Sequence, residues 1–194
     1  MFVTGGASGL GEAFVRYVHA KGASVAIADM NDERLQLLVN ELKERVFTIK
    51  CDVTKEADVK NAVEKTVDKF GAVHASLACA GVAWPGMTLT SKGGIDMEKF
   101  EQVVKINLYG SAYVAKYSAV AMSKNKPINE MGEKGVIIFV SSVAAEEGQR
   151  GQVAYSATKG AINGMVLPMA RDLGKFGIRV AAVAPGIFAT PLSH

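Results

Sequence analysis

The stretch "SSVAAEEGQRGQVAYSATKG", residues 141–160, sets Tyr155 four positions before Lys159, with Ser141 and Ser142 a short loop upstream. On a helix an i, i+4 pair projects from one face, one side chain above the other. A free phenol titrates near ~10 and is a poor base at neutral pH. A neighbouring ammonium favours the phenolate and would make Tyr155 a usable proton acceptor from an alcohol. Ser142 would hydrogen-bond the substrate oxygen and turn it toward the tyrosine. Taken alone, Tyr-x-x-x-Lys is more often an ordinary helix surface pair, so its chemistry depends on what the rest of the chain supplies.

The first supporting motif is "FVTGGASGLGEAF" at the N-terminus. Gly5, Gly9 and Gly11 follow a short apolar strand and open a helix, where a dinucleotide pyrophosphate meets backbone N–H groups and the positive end of the helix dipole. Gly5 would permit the tight turn, Gly9 the close approach of phosphates and Gly11 close packing of helix on strand. The spacing differs from G-x-G-x-x-G, and a glycine-rich turn without a ligand is the plain alternative. Asp29 ends the next apolar run, "SVAIADM", near the distance at which an acidic residue grips adenine-ribose hydroxyls. Its charge repels a 2′-phosphate. Ser8 and Met30 supply no base nearby and Asn31-Asp32-Glu33 add negative charge, so NAD is favoured over NADP. The alternative is that Asp29 caps the following helix. Asp52-Val53 ends the third strand, where the carboxylate would accept a bond from the adenine amino group or serve a turn. An oxidised nicotinamide beside Tyr155 would favour its phenolate further.

These residues need a scaffold. β-rich runs at residues 2–3, 24–28, 46–50, 75–78, 136–140 and 179–184 alternate with helical-period segments at about 10–21, 32–45, 56–70, 97–124 and 156–176. That alternation predicts one doubly wound α/β domain of Rossmann type, its parallel sheet ordered 3-2-1-4-5-6 and covered by helices on both faces. Ligands then sit beyond the strand ends at the switch point. Residues 124–135, rich in Lys, Pro, Asn and Glu, read as an exposed connection. The 194 residues are 49% hydrophobic, enough for a substantial core, and a net charge of +3 gives no nucleic-acid footprint. Cys51 and Cys79 have no metal-site or disulfide spacing, which suits free thiols in a reducing compartment. No apolar run is long enough to span a bilayer, and the N-terminus lacks a signal segment. A soluble mitochondrial or cytoplasmic chain, not a secreted one, is expected.

The ordered motifs "TGGASGLG", "CDV", "CAG", "KINLYG", "SS", "YSATK" and "PG" run from residue 2 to residue 192, and in them the sequence resembles the short-chain dehydrogenases/reductases. The resemblance implies a catalytic tetrad of Asn107, Ser142, Tyr155 and Lys159, with Asn107 helping to hold a water that links the lysine to solvent. Ser142, rather than Ser141, matches the family serine by its spacing to the tyrosine. The run from residue 135 to residue 192 is similar to family members that act on 3-hydroxyacyl-CoA thioesters and hydroxysteroids. It implies NAD-linked interconversion of a secondary alcohol and a ketone on such a substrate, and cofactor contacts at Ser8, Leu10, Asp29, Asp52, Val53, Cys79, Gly81, Pro185, Gly186, Phe188 and Thr190. A non-catalytic dinucleotide-binding or scaffolding derivative is the competing reading. The family's Asn-Asn-Ala-Gly is Ala78-Cys79-Ala80-Gly81 here, which removes a sheet-supporting side chain. Relatives continue beyond "TPL" through a substrate lid, a helix and a last strand, so a chain truncated at both ends is expected. Relatives also pair through the helices corresponding to residues 97–124 and 156–176, which implies a homodimer or homotetramer.

Overall fold

A computed structural model describes residues 1–189. Six strands form one parallel sheet: β1 (Phe2–Thr4), β2 (Val25–Asp29), β3 (Val46–Lys50), β4 (Ala75–Ala78), β7 (Gly135–Val140) and β8 (Ile178–Val183). Their order is β3-β2-β1-β4-β7-β8, so the switch point falls between β1 and β4, as the sequence pattern predicts. The strands are joined by α1 (Gly9–Ala20), α2 (Asp32–Leu42), α3 (Glu56–Phe70), α4 (Met97–Val103), α5 (Gly110–Ser123) and α6 (Val153–Gly174).

Side chains alternate across each strand, so the sheet feeds two cores. Phe2, Ala26 and Ala28 pack on one face with Val59 and Val63 of α3 and Val114 and Met122 of α5. Val3, Ile27 and Leu77 pack on the other with Val15 of α1 and Leu35 and Leu38 of α2. In α3 the buried residues Val59, Ala62, Val63 and Thr66 recur at i, i+3, i+4 and i+7, the apolar stripe of a helix lying on a sheet. Because both faces of β2 are covered, Val25 to Ala28 are buried without a polar interruption.

Three local features differ from the sequence pattern. The segment expected as one helix over residues 97–124 contains a π-helical turn, Val104–Tyr109, between α4 and α5. Asn107 within that turn is buried with its side chain tied to Val82, and the Ser111 hydroxyl donates to the Asn107 carbonyl at 2.6 Å. A small antiparallel hairpin, β5 (Leu89–Thr90) and β6 (Gly93–Gly94), lies between β4 and α4. Helix α2 stops three residues early, because Lys43 (φ 59°) and Arg45 (φ 57°) take left-handed backbone conformations incompatible with continuing the helix.

Candidate active site and dinucleotide cleft

At the C-terminal end of β7 the chain passes through Ser141 and Ser142 into a single 3₁₀ turn, Val143–Ala145. The Ser142 hydroxyl caps that turn by accepting from Ala144 N at 3.1 Å. Helix α6 begins at Val153, so Tyr155 and Lys159 occupy its first two turns and face the strand end. The ammonium lies 5.4 Å from the centre of the Tyr155 ring and donates to the Val140 carbonyl at 2.6 Å. Ser141 Oγ donates to the Lys159 carbonyl at 3.1 Å, tying helix to strand. The two adjacent serines thus divide the work: Ser142 opens on the cleft while Ser141 fastens the lysine's backbone.

Asn107 reaches the same place from the π-helical turn. Its Oδ1 accepts from Val82 N at 2.9 Å, and its Nδ2 donates to Val82 O at 2.9 Å and to Thr158 Oγ1 at 3.2 Å. Thr158 Oγ1 donates in turn to the Tyr155 carbonyl at 2.7 Å. The Asn107 amide is therefore a brace between residues after β4 and the start of α6.

Burial sets the protonation of the pair. The Lys159 ammonium is pushed down to about 8 by loss of solvent. Burial also raises the Tyr155 phenol above its ordinary value, an effect opposed by its hydrogen bond with Ser142. The sequence predicts that the neighbouring lysine, aided by an oxidised nicotinamide, favours the phenolate; among the protein groups alone, burial has the larger effect and acts the other way. In the cleft as built from protein groups the phenol stays protonated, and charge brought in by an oxidised nicotinamide is what would tip it.

The glycine motif forms the other wall. Gly5 has φ +64°, and a Cβ there would lie 2.7 Å from Ala80 Cα; a Cβ on Gly11 would lie 2.1 Å from Gly5 O. Gly11 thus makes room for the turn itself, a tighter constraint than helix-on-strand packing. Ser8 is the N-cap of α1 but makes no side-chain cap bond, so the first N–H groups of that helix are left for an anion. Asp29 Oδ2 accepts from Ala7 N at 3.1 Å and Oδ1 from Asn31 N at 3.0 Å. Asn31, not Asp29, caps α2, accepting from Arg34 N at 3.0 Å.

A cavity of about 270 Å³ joins the two walls. Gly5, Ser8, Gly9, Leu10, Gly11, Cys79, Gly81, Ser142, Tyr155, Lys159, Pro185, Gly186 and Phe188 line it, all selected from the sequence. Burial lifts the Cys79 thiol to about 11, so it is a neutral wall residue rather than a nucleophile. Asp29 does not line the cavity; its carboxylate holds the amide of Ala7, the residue before the lining Ser8. Asp52 and Val53 do not line it. Asp52 Oδ1 accepts from Thr54 N at 3.0 Å and from Thr54 Oγ1 at 2.7 Å, a turn of its own, and buried Val53 packs against Gly110. Thr190 lies outside the described residues.

Two charged residues escaped the sequence reading. Arg34 Nε donates to Ala7 O at 3.2 Å, and its Nη2 pairs with Glu12 of α1. A base therefore stands beside the glycine turn after all, 27 positions from it in sequence. The only local sign was an arginine just after "NDE", masked by the acidic run.

The cradle suits a dinucleotide: Gly11 leaves space a side chain would fill, the first amides of α1 are free of side-chain caps, and a carboxylate stands at the end of β2. Comparison with known proteins agrees. The short chain dehydrogenase family model matches residues 1–194. The chain is 43% identical to 3-hydroxyacyl-CoA dehydrogenase type-2 of Drosophila melanogaster, spanning 98% of this chain and 75% of that protein. It is also 43% identical to the Homo sapiens protein of that name, spanning 98% and 73%. A crystal structure of 3-hydroxyacyl-CoA dehydrogenase type-2 from Mycobacterium avium superposes with TM-score 0.92 at 36% identity, over 99% of this chain and 76% of that one. A 3-ketoacyl-(acyl-carrier-protein) reductase from Brucella melitensis complexed with NADH superposes with TM-score 0.89 at 28% identity, over the same shares.

Proposed function

The chain belongs to the short-chain dehydrogenase family and is an NAD-dependent oxidoreductase of hydroxyl and keto groups, and from that premise we propose that it interconverts the secondary alcohol of a 3-hydroxyacyl-CoA thioester, or of a hydroxysteroid, with the ketone. The observation that carries this reading is the convergence of Ser142, Tyr155 and Lys159 on the cavity that the glycine turn also lines. The similarity to 3-hydroxyacyl-CoA dehydrogenases type-2 supports the substrate class.

When bound, NAD would supply the acceptor for the hydride of the carbinol carbon. The turn containing Gly5, Gly9 and Gly11 would hold its pyrophosphate, Asp29 its adenine ribose, and Pro185, Gly186 and Phe188 the nicotinamide end. Ser142 holds the substrate oxygen by a hydrogen bond and aims it at Tyr155. The Tyr155 oxygen takes the hydroxyl proton as the carbonyl forms and returns it in the reverse direction. Lys159 places positive charge beside the phenolate at that moment, when it is worth most in a site shielded from water. Asn107 and Thr158 keep the first turn of α6 in register with the strand ends.

An assembly of two or four copies is part of the reading, and burial of half-exposed Tyr109, Val120 and Leu167 at its interface would test it. No helix among the described residues is long and apolar enough to cross a membrane. The reading is tested by following NADH formation with short and long 3-hydroxyacyl-CoA thioesters and hydroxysteroids. NADH should appear with a thioester or a steroid and be reversed by the matching ketone. Simple secondary alcohols turning over while every thioester and steroid stays inert would overturn the substrate assignment.

A further inference from the structure

Both backbone groups of Ala7 in the glycine turn are held by charged side chains. Its N–H donates to the Asp29 carboxylate at 3.1 Å, and its carbonyl accepts from Arg34 Nε at 3.2 Å. One residue therefore separates the carboxylate at the adenosine end from a guanidinium. Arg34 Nη2 pairs with Glu12 on α1, and Glu12 also accepts from Arg16 Nε at 3.0 Å. Arg16 is shared with Glu41 at 2.5 Å. The Glu12 side chain is only 15% exposed whereas that of Arg34 is 43% exposed. Burial raises the Glu12 pKa, but the bonds from Arg16 and Arg34 outweigh it and keep the carboxyl below its usual value, so Glu12 is an anion at neutral pH.

An acidic residue at this end of a dinucleotide cleft rejects a phosphate on the ribose, and an arginine nearby accommodates one. A guanidinium fork suits phosphate oxygens, provided no carboxylate already occupies it. This chain carries both groups, with the second one occupied. We propose that Glu12 is a cofactor-specificity residue: by pinning and neutralising Arg34 it acts with Asp29 to exclude a dinucleotide phosphorylated on its adenosine ribose. With both carboxylates removed, Arg34 is the group that binds that phosphate. The proposal rests on Asp29 marking the ribose end.

Direct binding decides it, by nicotinamide fluorescence with NADH and with NADPH, alongside a thermal melt of each variant. The wild type should prefer NADH. Asp29→Ser should narrow that preference by roughly 10-fold, since a repulsive charge and a hydroxyl acceptor both go. Adding Glu12→Gln should favour NADPH over NADH by about a further 5-fold or more, and adding Arg34→Ala to the pair should erase that gain. The ratio of the two affinities is the readout, because Arg34 also holds the Ala7 carbonyl and its loss would weaken binding of both nucleotides alike. Should Glu12→Gln impair folding, Glu12→Ala takes its place in the same series, and the same rise in the NADPH-to-NADH affinity ratio, lost again on adding Arg34→Ala, is the expected result. An NADPH-to-NADH ratio that ignores the Glu12 substitution in the Asp29→Ser background, or that ignores Arg34→Ala once Asp29 and Glu12 are both replaced, would overturn the proposal while leaving the NAD assignment standing. A wild type that binds neither nucleotide would instead remove the cofactor assignment, and the proposal with it.

Discussion

The two ends of the cleft are built by opposite means. At the proposed catalytic end the working groups are side chains held by buried hydrogen bonds: Asn107 is fully buried, Thr158 and Lys159 nearly so. At the proposed adenosine end the groups that would face the ligand are backbone amides of a glycine turn, and charged side chains that remain partly in water hold the turn in place. Proton transfer requires a phenol and an ammonium fixed within tenths of an ångström in a place shielded from solvent, which a braced helix start provides. Phosphate recognition requires N–H groups and close approach, and any side chain in the turn would obstruct it. The electrostatics follow: burial pushes the ammonium down to about 8, while at the other end burial of Glu12 is outweighed by its bonds to Arg16 and Arg34.

The contrast breaks most clearly at Gly11. A methyl group there lies 2.1 Å from Gly5 O, so Gly11→Ala must open the turn. NADH affinity should fall by at least roughly 10²-fold, while the α6 side of the cleft keeps its geometry. Titration of NADH fluorescence checks this, and unchanged affinity would mean that the turn does not carry the pyrophosphate. Ser142→Ala is the counterpart at the other end. It removes the hydrogen bond to the phenol and the cap on Ala144 N, so turnover should drop by roughly 10-fold or more. Lost capping should destabilise the protein by about 1 kcal/mol, with NADH affinity nearly constant. Steady-state kinetics and urea unfolding read the two effects separately.

A smaller effect sharpens the electrostatic half of the comparison. Lys159 titrates at about 8 in the folded chain and at its ordinary 10.5 when unfolded. Between those values the unfolded chain holds more protons, so stability rises as the pH climbs through that window. Lys159→Met should therefore melt at or above the wild type near neutral pH, and the wild type should recover by a few degrees in more alkaline buffer. A melting difference that ignores pH would show that the ammonium is not desolvated.

How far each end was legible in the sequence follows from the same contrast. Tyr155 and Lys159 announce themselves through a four-residue spacing that a helix converts into proximity, and the sheet order follows from alternation of strand and helix patterns. The glycine turn is equally local. Arg34 and Glu12 were not legible, because their meeting depends on how α1 and α2 pack across 22 positions of chain. The π-helical turn around Asn107 was hidden for a like reason: what holds that side chain, Val82 and Thr158, comes from 25 and 51 positions away. Asp52 shows the converse, a carboxylate in the expected place whose own turn claims it.

The central claim is that Tyr155 transfers the proton while the rest of the cleft holds the cofactor. Tyr155→Phe keeps the ring and deletes only the oxygen, so measuring turnover and NADH affinity on the same preparation separates the two roles. The account predicts turnover lower by at least roughly 10²-fold with NADH affinity within about 2-fold of wild type. Near-normal turnover in that variant would contradict it.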